Sequence, residues 1–156
     1  MFEPIKHYLC FPKLFIIMKV IRRASATWKG TGKEGSGTVS TQSTVLNNTQ
    51  FSFGSRFEEG VGTNPEELIG AAHAGCFSMK LSFIIVAAGF TADSINTNAK
   101  VTLEDGKIST IHLDVKAKVP GMSADQFAAA ANDAKANCPI SKSLNAEITM
   151  DAVLEA

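Results

Sequence analysis

The sequence predicts an α+β fold with the element order βββ-α-ββ-α-β, in which a long buried central helix is flanked by strands. Segments with alternating apolar and polar residues occupy the first third and the middle of the chain, which indicates strands. An almost uncharged helical segment lies between them. Glycine, proline and aspartate separate the segments and indicate turns. Runs of strands separated by single helices are typical of the α+β class.

The first third is predicted to contain three strands. Apolar residues alternate along residues 20–28, glycines then indicate a turn, and a second strand follows near residues 37–46. Residues 51–57 are predicted to be a third strand with three phenylalanines on one face and Arg56 on the other.

The central helix has clear start and stop signals. Asn64 is a good N-cap, Pro65 suits the first helical position, and Gly89 can end the helix with a positive φ. The helix spans about 24 residues, or about 36 Å. Past its first turn it carries one formal charge, Lys80, so it must be buried nearly all round. One chain of 156 residues has few other residues with which to cover this helix on all sides, and a second copy of the chain could cover the rest of its surface.

The remaining elements form a hairpin, a helix and a last strand. Asp105 and Gly106 supply a type I′ turn signal between two alternating segments. Ser123 and Gln126 form a capping box that starts an alanine-rich helix ending near Asn137. A short helical turn and a strand over residues 148–154 follow.

Composition excludes several classes of function. Fifteen basic residues balance 15 acidic residues, which argues against a nucleic-acid partner. No apolar segment is expected to reach the roughly 20 residues of a membrane span, so no membrane partner is expected. Three cysteines are too few for a secreted disulfide scaffold, and an odd number leaves at least one without a partner in the chain. The cysteine count therefore indicates a cytoplasmic protein with free or reactive thiols.

The N-terminus is predicted to be an extension over residues 1–17, with the domain covering residues 18–156. A signal peptide is disfavoured because the cations follow the apolar stretch instead of preceding it. Cys10 lies in the extension and is treated as incidental.

Cys76 and Cys138 are the candidate reactive thiols. Cys76 lies within the central helix and could equally be an inert core residue. Cys138 precedes Pro139, at a short helix start whose amides would lower a thiol pKa. An attacking and a resolving thiol are what a dithiol–disulfide cycle needs, although the two could also lie far apart.

Arg56 and Glu66 are candidate partners of Cys76. A guanidinium near Cys76 would stabilise a thiolate, and a carboxylate would have to hold it in place. Glu66 lies about 15 Å from Cys76 along a straight helix, so they could share a site only if two central helices pack antiparallel about a two-fold axis. Alternatively, Arg56 is an exposed strand residue and Glu66 complements the helix dipole.

Two further combinations involve histidine. His73 lies one turn before Cys76, so a cysteine hydrolase with a Cys–His pair is conceivable. A metal site made by His73, Cys138 and His112 would need a fourth ligand, and His112 falls on the polar face of its strand.

Several segments resemble the OsmC/Ohr family of thiol-dependent hydroperoxide reductases, and its OsmC branch in particular. They are GTNPEELIGAAHAGCFSM at 62–79, NCPIS at 137–141, ATWKG at 26–30 and GTVST at 37–41. The resemblance runs from about residue 18 to the C-terminus.

The resemblance implies an OsmC-like fold, an intertwined homodimer and an active site at the subunit interface. It implies that Cys76 is the peroxidatic cysteine and Cys138 the resolving one, with Arg56 stabilising the thiolate and Glu66 orienting the arginine. The implied substrates are organic hydroperoxides, and the implied reductant is an external dithiol of lipoyl type, with no bound cofactor and no metal. A redox sensor or small-ligand binder using the same cysteines is the alternative.

Overall fold

A computed structural model describes residues 19–155. The predicted extension over residues 1–17, Cys10 and the predicted domain start at Met18 therefore lie outside the described residues. The elements in chain order are β1 Ala24–Lys29, β2 Ser36–Thr41, β3 Thr49–Ser52, α1 Phe53–Phe57, α2 Pro65–Ala87, β4 Ser94–Glu104, β5 Lys107–Lys118, α3 Ala124–Asn137, α4 Pro139–Ser143 and β6 Glu147–Glu155.

The strands form two separate three-stranded sheets, with the long helix α2 between them in the chain, so the predicted α+β class with a long central helix is confirmed. The first sheet has the order β1-β2-β3 and is antiparallel throughout. In the second sheet, β5 pairs antiparallel with β4 and parallel with β6. A parallel pair needs a long crossover connection, which α3 and α4 supply.

The predicted third strand is present, but its predicted extent over residues 51–57 is wrong. The strand ends at Ser52, which is the N-cap of the short helix α1. The Ser52 backbone N–H donates to the Ser55 hydroxyl at 2.9 Å, and the Ser55 backbone N–H donates to the Ser52 hydroxyl at 3.1 Å. This reciprocal capping box starts a helical turn, and it places Arg56 on a helix instead of a strand.

Other local predictions are confirmed. Asp105 and Gly106 have φ values of 50° and 77°, as a type I′ turn requires. Ser123 caps α3 through the predicted reciprocal bonds with Gln126. The central helix α2 has Asn64 as its N-cap and Pro65 in its first turn.

Within one chain, α2 is buried on one face only. Its buried residues recur every three or four positions and pack against β4 and α3; they are Gly70, His73, Phe77, Leu81 and Ile85. The opposite face is open to solvent, where Met79 is 62% and Phe83 66% exposed. The helix therefore carries more apolar surface than one chain covers.

The hydrophobic core lies between the second sheet, α2 and α3. Alternate residues of β5 point into it, from Ile111 to Ala117, together with Phe127 of α3. Among the described residues, the first sheet contributes no side chain to this core, and every residue of β1 is exposed.

One helix, α2, is long and apolar enough to cross a membrane by length and composition. The expectation that no segment reaches that length is therefore wrong. The helix owes its composition to its place in the middle of the fold, where it packs against β4 and α3.

Candidate active site

Helix packing brings the two cysteines of the described chain together. Cys76 lies in the middle of α2 and is half-buried, whereas Cys138 is fully buried where α3 ends and α4 begins. Both thiols are free, and they lie close enough for each to shift the pKa of the other. The alternative in which the two cysteines lie far apart is therefore excluded.

The surroundings of Cys138 favour its thiolate. Burial acts most strongly and opposes ionisation, but the Ser141 backbone N–H, the Cys76 thiol, the Ser141 hydroxyl and the Ile140 backbone N–H together outweigh it. The pKa of Cys138 is therefore lowered from its ordinary value.

Cys76 has less support for a negative charge. Burial raises the pKa of its thiol, the Ile140 backbone N–H offsets part of this, and the neighbouring Cys138 adds to the increase. Arg56 is not among the groups that shift the Cys76 pKa. Among the described residues of one chain, no cation contributes to stabilising a Cys76 thiolate.

Arg56 and Glu66 form an ion pair at the start of α2. The Arg56 Nη2 lies 2.6 Å from the Glu66 Oε1, and the Arg56 Nε lies 3.1 Å from the Oε2. This two-point contact holds the guanidinium plane in a fixed orientation. Its hydrogen bond to Arg56, together with the arginine's charge, lowers the pKa of Glu66, and the same contact raises that of Arg56.

The ion pair and the thiol pair are separate within one chain. Glu66 and Cys76 are about 15 Å apart along the axis of α2. An open cleft of about 500 Å³ beside Glu66 is lined by residues of α2 and β4, and neither cysteine reaches it. The ion pair and the two thiols thus lie at different levels of the same helix.

His73 is paired with a serine instead of a cysteine. Its side chain is fully buried, and its Nε2 lies 2.8 Å from the Ser141 Oγ. Its Nδ1 has no partner among the described residues. Since neither ring nitrogen bonds Cys76, the Cys–His pair of a hydrolase is not formed.

His112 lies on the other face of the second sheet. Its Nδ1 and the Thr149 hydroxyl are 2.9 Å apart, and its ligand atoms lie within 4.8 Å of those of Asp114 and Asp151. The alternation of β5 points His112 away from the core that holds Cys138. The metal combination with Cys138 is therefore wrong.

Comparison with known proteins identifies the family. A family model described as OsmC-like protein matches residues 58–153 of the chain. Peroxiredoxin OsmC of Escherichia coli (strain K12) is 48% identical over 143 residues, covering 89% of this chain and 100% of the relative. The chain belongs to the OsmC family. Peroxiredoxin OsmC of Shigella flexneri matches equally well.

Solved structures of OsmC and Ohr proteins have the same fold. An OsmC-like protein from Mycoplasma pneumoniae superposes with a TM-score of 0.71 at 13% identity, covering 89% of this chain and 100% of that one. The organic hydroperoxide resistance protein OhrB of Bacillus subtilis gives a TM-score of 0.60 at 21% identity, covering 84% of this chain and 98% of that one. At these identities the likeness concerns the fold.

One polar residue of this OsmC protein was not singled out by sequence reasoning. Ser141 is hydrogen-bonded to the buried His73, and it is one of the groups that lower the pKa of the Cys138 thiol. The sequence signal that could have identified Ser141 is its position three residues after Cys138, in the first turn of α4. The contact with His73 spans 68 positions of sequence and depends on the packing of α2 against α4.

Proposed function

We propose that this protein reduces organic hydroperoxides to alcohols through a Cys76–Cys138 disulfide that an external dithiol reduces again. It is a thiol peroxidase by its family and by its 48% identity to peroxiredoxin OsmC. The observation that carries the proposed mechanism is the proximity of a half-buried and a fully buried free thiol in one packed cluster. In such a pair, a peroxide can reach and oxidise the half-buried thiol, and the buried thiol can then form a disulfide with it.

The proposed cycle balances without a bound cofactor. The Cys76 thiolate attacks the distal oxygen of the hydroperoxide, the O–O bond breaks, and the alcohol leaves after taking a proton, so that Cys76 becomes a sulfenic acid. Cys138 attacks that sulfur, forms the disulfide and releases water. An external dithiol then supplies two electrons and two protons that restore both thiols.

The reductant is proposed to enter at Cys76. Cys138 is wholly inaccessible, whereas Cys76 is only half-buried, so an incoming thiolate can reach the Cys76 sulfur alone. A lipoyl-type dithiol suits this task because its two linked thiols can close on themselves after the first exchange. The cycle requires a reducing compartment, which favours the cytoplasm.

Arg56 is proposed to stabilise the Cys76 thiolate of a second subunit, with Glu66 holding the guanidinium. The geometry of one chain separates the two pairs by about 15 Å along α2. Two α2 helices that pack antiparallel about a two-fold axis would bring each ion pair to the other chain's Cys76. The raised pKa of Cys76 within one chain is consistent with a missing cation.

A homodimer is further supported by uncovered apolar surface. One face of α2, including Met79 and Phe83, is exposed in the single chain, and the first sheet lacks a core of its own. A contiguous apolar surface of this kind marks an interface. Apolar side chains near the thiols, among them Met79, would favour organic hydroperoxides over hydrogen peroxide.

Steady-state kinetics test the proposal. The wild type with a dithiol should reduce cumene hydroperoxide over many turnovers and prefer it to hydrogen peroxide. Cys76→Ser should abolish turnover, and Cys138→Ser should allow one oxidation of Cys76 but little further dithiol-supported turnover. Ser143→Ala, on the exposed side of α4, serves as a control that should match the wild type.

Two results would contradict this. Full peroxidase activity in Cys76→Ser would remove Cys76 from the reaction. Consumption of no more than one equivalent of peroxide by the wild type with excess dithiol would instead indicate a redox sensor that uses the same cysteines.

A further inference from the structure

We infer that His73 and Ser141 form a positioning relay that stabilises the Cys138 thiolate and thereby speeds disulfide formation with Cys76. The inference rests on the proposed function, because it gives the relay a task in the resolving step. Neither residue touches the hydroperoxide in the proposed cycle, so both act through Cys138.

The relay is built from two buried contacts. His73 projects from α2 and is 0% exposed, and its Nε2 reaches the Ser141 Oγ at 2.8 Å across the packed helices α2 and α4. Ser141 lies in the first turn of α4, of which Cys138 is the N-cap, and its hydroxyl is one of the groups that lower the pKa of the Cys138 thiol, which is also 0% exposed. His73, Ser141 and Cys138 thus lie together inside an otherwise apolar core.

The unpartnered Nδ1 of His73 assigns the direction of the hydrogen bonds. A buried N–H without an acceptor is rarer in proteins than an acceptor left without a donor. Nδ1 therefore carries the lone pair, and in the neutral ring Nε2 carries the proton. Burial lowers the pKa of His73 and keeps the ring neutral.

With this tautomer, all donors point toward the sulfur. The His73 Nε2–H donates to the Ser141 Oγ, and the Ser141 O–H is then free to donate to the Cys138 Sγ. Hydrogen bonds in such a chain polarise one another, so the serine is a stronger donor than it would be alone. The relay counteracts the burial that would otherwise hinder ionisation of Cys138.

The relay acts in the condensation step. The Cys138 thiolate attacks the Cys76 sulfenic sulfur, the S–S bond forms and the S–O bond breaks, and the departing hydroxide takes the proton lost from Cys138 to become water. The Cys138 sulfur is oxidised and the Cys76 sulfur is reduced by the same amount. A larger thiolate fraction at Cys138 raises the rate of this attack.

Single-turnover kinetics separate this step from the first one. One equivalent of cumene hydroperoxide is mixed with the reduced full-length protein. Peroxide loss reports attack by Cys76, and the quenched protein mass reports the disulfide. Removing one hydrogen-bond partner, in Ser141→Ala or His73→Leu, should slow disulfide formation about tenfold and leave peroxide loss within about twofold of the wild type.

Conservative variants provide the rescue. Ser141→Thr keeps the hydroxyl and His73→Gln keeps an N–H near the position of Nε2, so both should form the disulfide within about threefold of the wild-type rate. Ser143→Ala is the matched control on the same helix, since its hydroxyl donates to the Pro139 carbonyl at 2.8 Å. It should leave both steps unchanged.

The relay is overturned if Ser141→Ala forms the disulfide at the wild-type rate, or if peroxide loss slows as much as disulfide formation. It is also overturned if Ser141→Thr is as slow as Ser141→Ala, because packing alone would then explain the loss. If His73→Leu does not fold, the rate of disulfide formation in Ser141→Ala alone tests the relay. Failure of the proposed function is distinguishable, because the wild type itself would then form no Cys76–Cys138 disulfide.

Discussion

At the scale of single residues, the difference in exposure between the two cysteines determines the chemistry open to each. Cys76 is accessible enough to meet a substrate, and Cys138 is reachable only from inside the protein. The polar groups around the buried thiol favour its thiolate, whereas burial raises the pKa of Cys76.

The Arg56–Glu66 pair gives a pH-dependent prediction for the free energy of unfolding. Its hydrogen bond to Arg56 places the folded-state pKa of Glu66 below the unfolded-state value, so the pair stabilises the fold above that unfolded value. The stabilisation is lost as the pH falls through the lowered pKa. Glu66→Gln should therefore cost about 0.5 kcal/mol at neutral pH, because the pair is partly exposed, and almost nothing in acid.

Urea unfolding of the wild type and Glu66→Gln between about pH 3 and pH 7 measures this difference. Glu67→Gln, in the same helical turn but without an arginine partner, is the matched control. Identical pH profiles for the two variants would attribute the effect to the helix dipole and contradict a contribution from the ion pair.

At the scale of elements, the loop between β3 and α2 positions the arginine. Asn64 caps α2 by accepting from the Glu67 backbone N–H at 2.8 Å, and its amide group donates to the Ser55 carbonyl of α1 at 3.1 Å. The Ser55 hydroxyl donates to the Thr63 carbonyl at 2.9 Å. These bonds tie α1, which carries Arg56, to the start of the central helix.

Two substitutions at Asn64 separate the cap from this tether. Asn64→Ala removes both and should lower the free energy of unfolding by about 1 kcal/mol. Asn64→Asp keeps the capping oxygen but loses the donor to Ser55, so it should keep near wild-type stability while peroxidase activity falls. Urea unfolding and steady-state kinetics measure the two effects. Full activity in Asn64→Asp would show that the hydrogen bond from Asn64 to the Ser55 carbonyl is not needed for peroxidase activity.

The elements also show what the sequence can and cannot predict. The caps of α2 and α3 and the Asp105–Gly106 turn depend on neighbouring residues, so their sequence signals were sufficient. Helix α1 was missed because Phe51, Phe53 and Phe57 would all lie on one face of a strand, although Phe53 and Phe57 are also spaced by one helical turn, with ring centroids 4.8 Å apart. In addition, Ser52 with Ser55 is a weak capping signal. The Ser141 contact with His73 arises only when distant helices pack, which local patterns do not encode.

At the scale of the whole molecule, one described chain has an incomplete surface. Among residues 19–155, the open face of α2 and the first sheet both lack a partner, and no cation shifts the pKa of Cys76. An antiparallel pairing of two chains would cover the face of α2, give the first sheet a partner and supply a cation to the thiols. The proposed homodimer is therefore expected to be required for activity as well as for stability.

Mixing two inactive variants tests whether the active site is shared between subunits. Refolding Cys76→Ser together with Arg56→Ala forms hybrid dimers in which one site combines an intact Cys76 with an intact Arg56 from the other chain. Random pairing should restore about a quarter of the wild-type activity. No recovery, or sedimentation of the wild type as a folded monomer at micromolar concentration, would contradict a site shared between subunits.

The central claim is that one hydroperoxide molecule converts Cys76 and Cys138 into a disulfide. The most direct measurement is the mass and peptide map of the reduced protein after one equivalent of cumene hydroperoxide. The predicted result is loss of two hydrogens, a single Cys76–Cys138 bridge and one equivalent of the alcohol. A bridge that includes Cys10, or an oxidised Cys76 that persists without any bridge, would contradict the account.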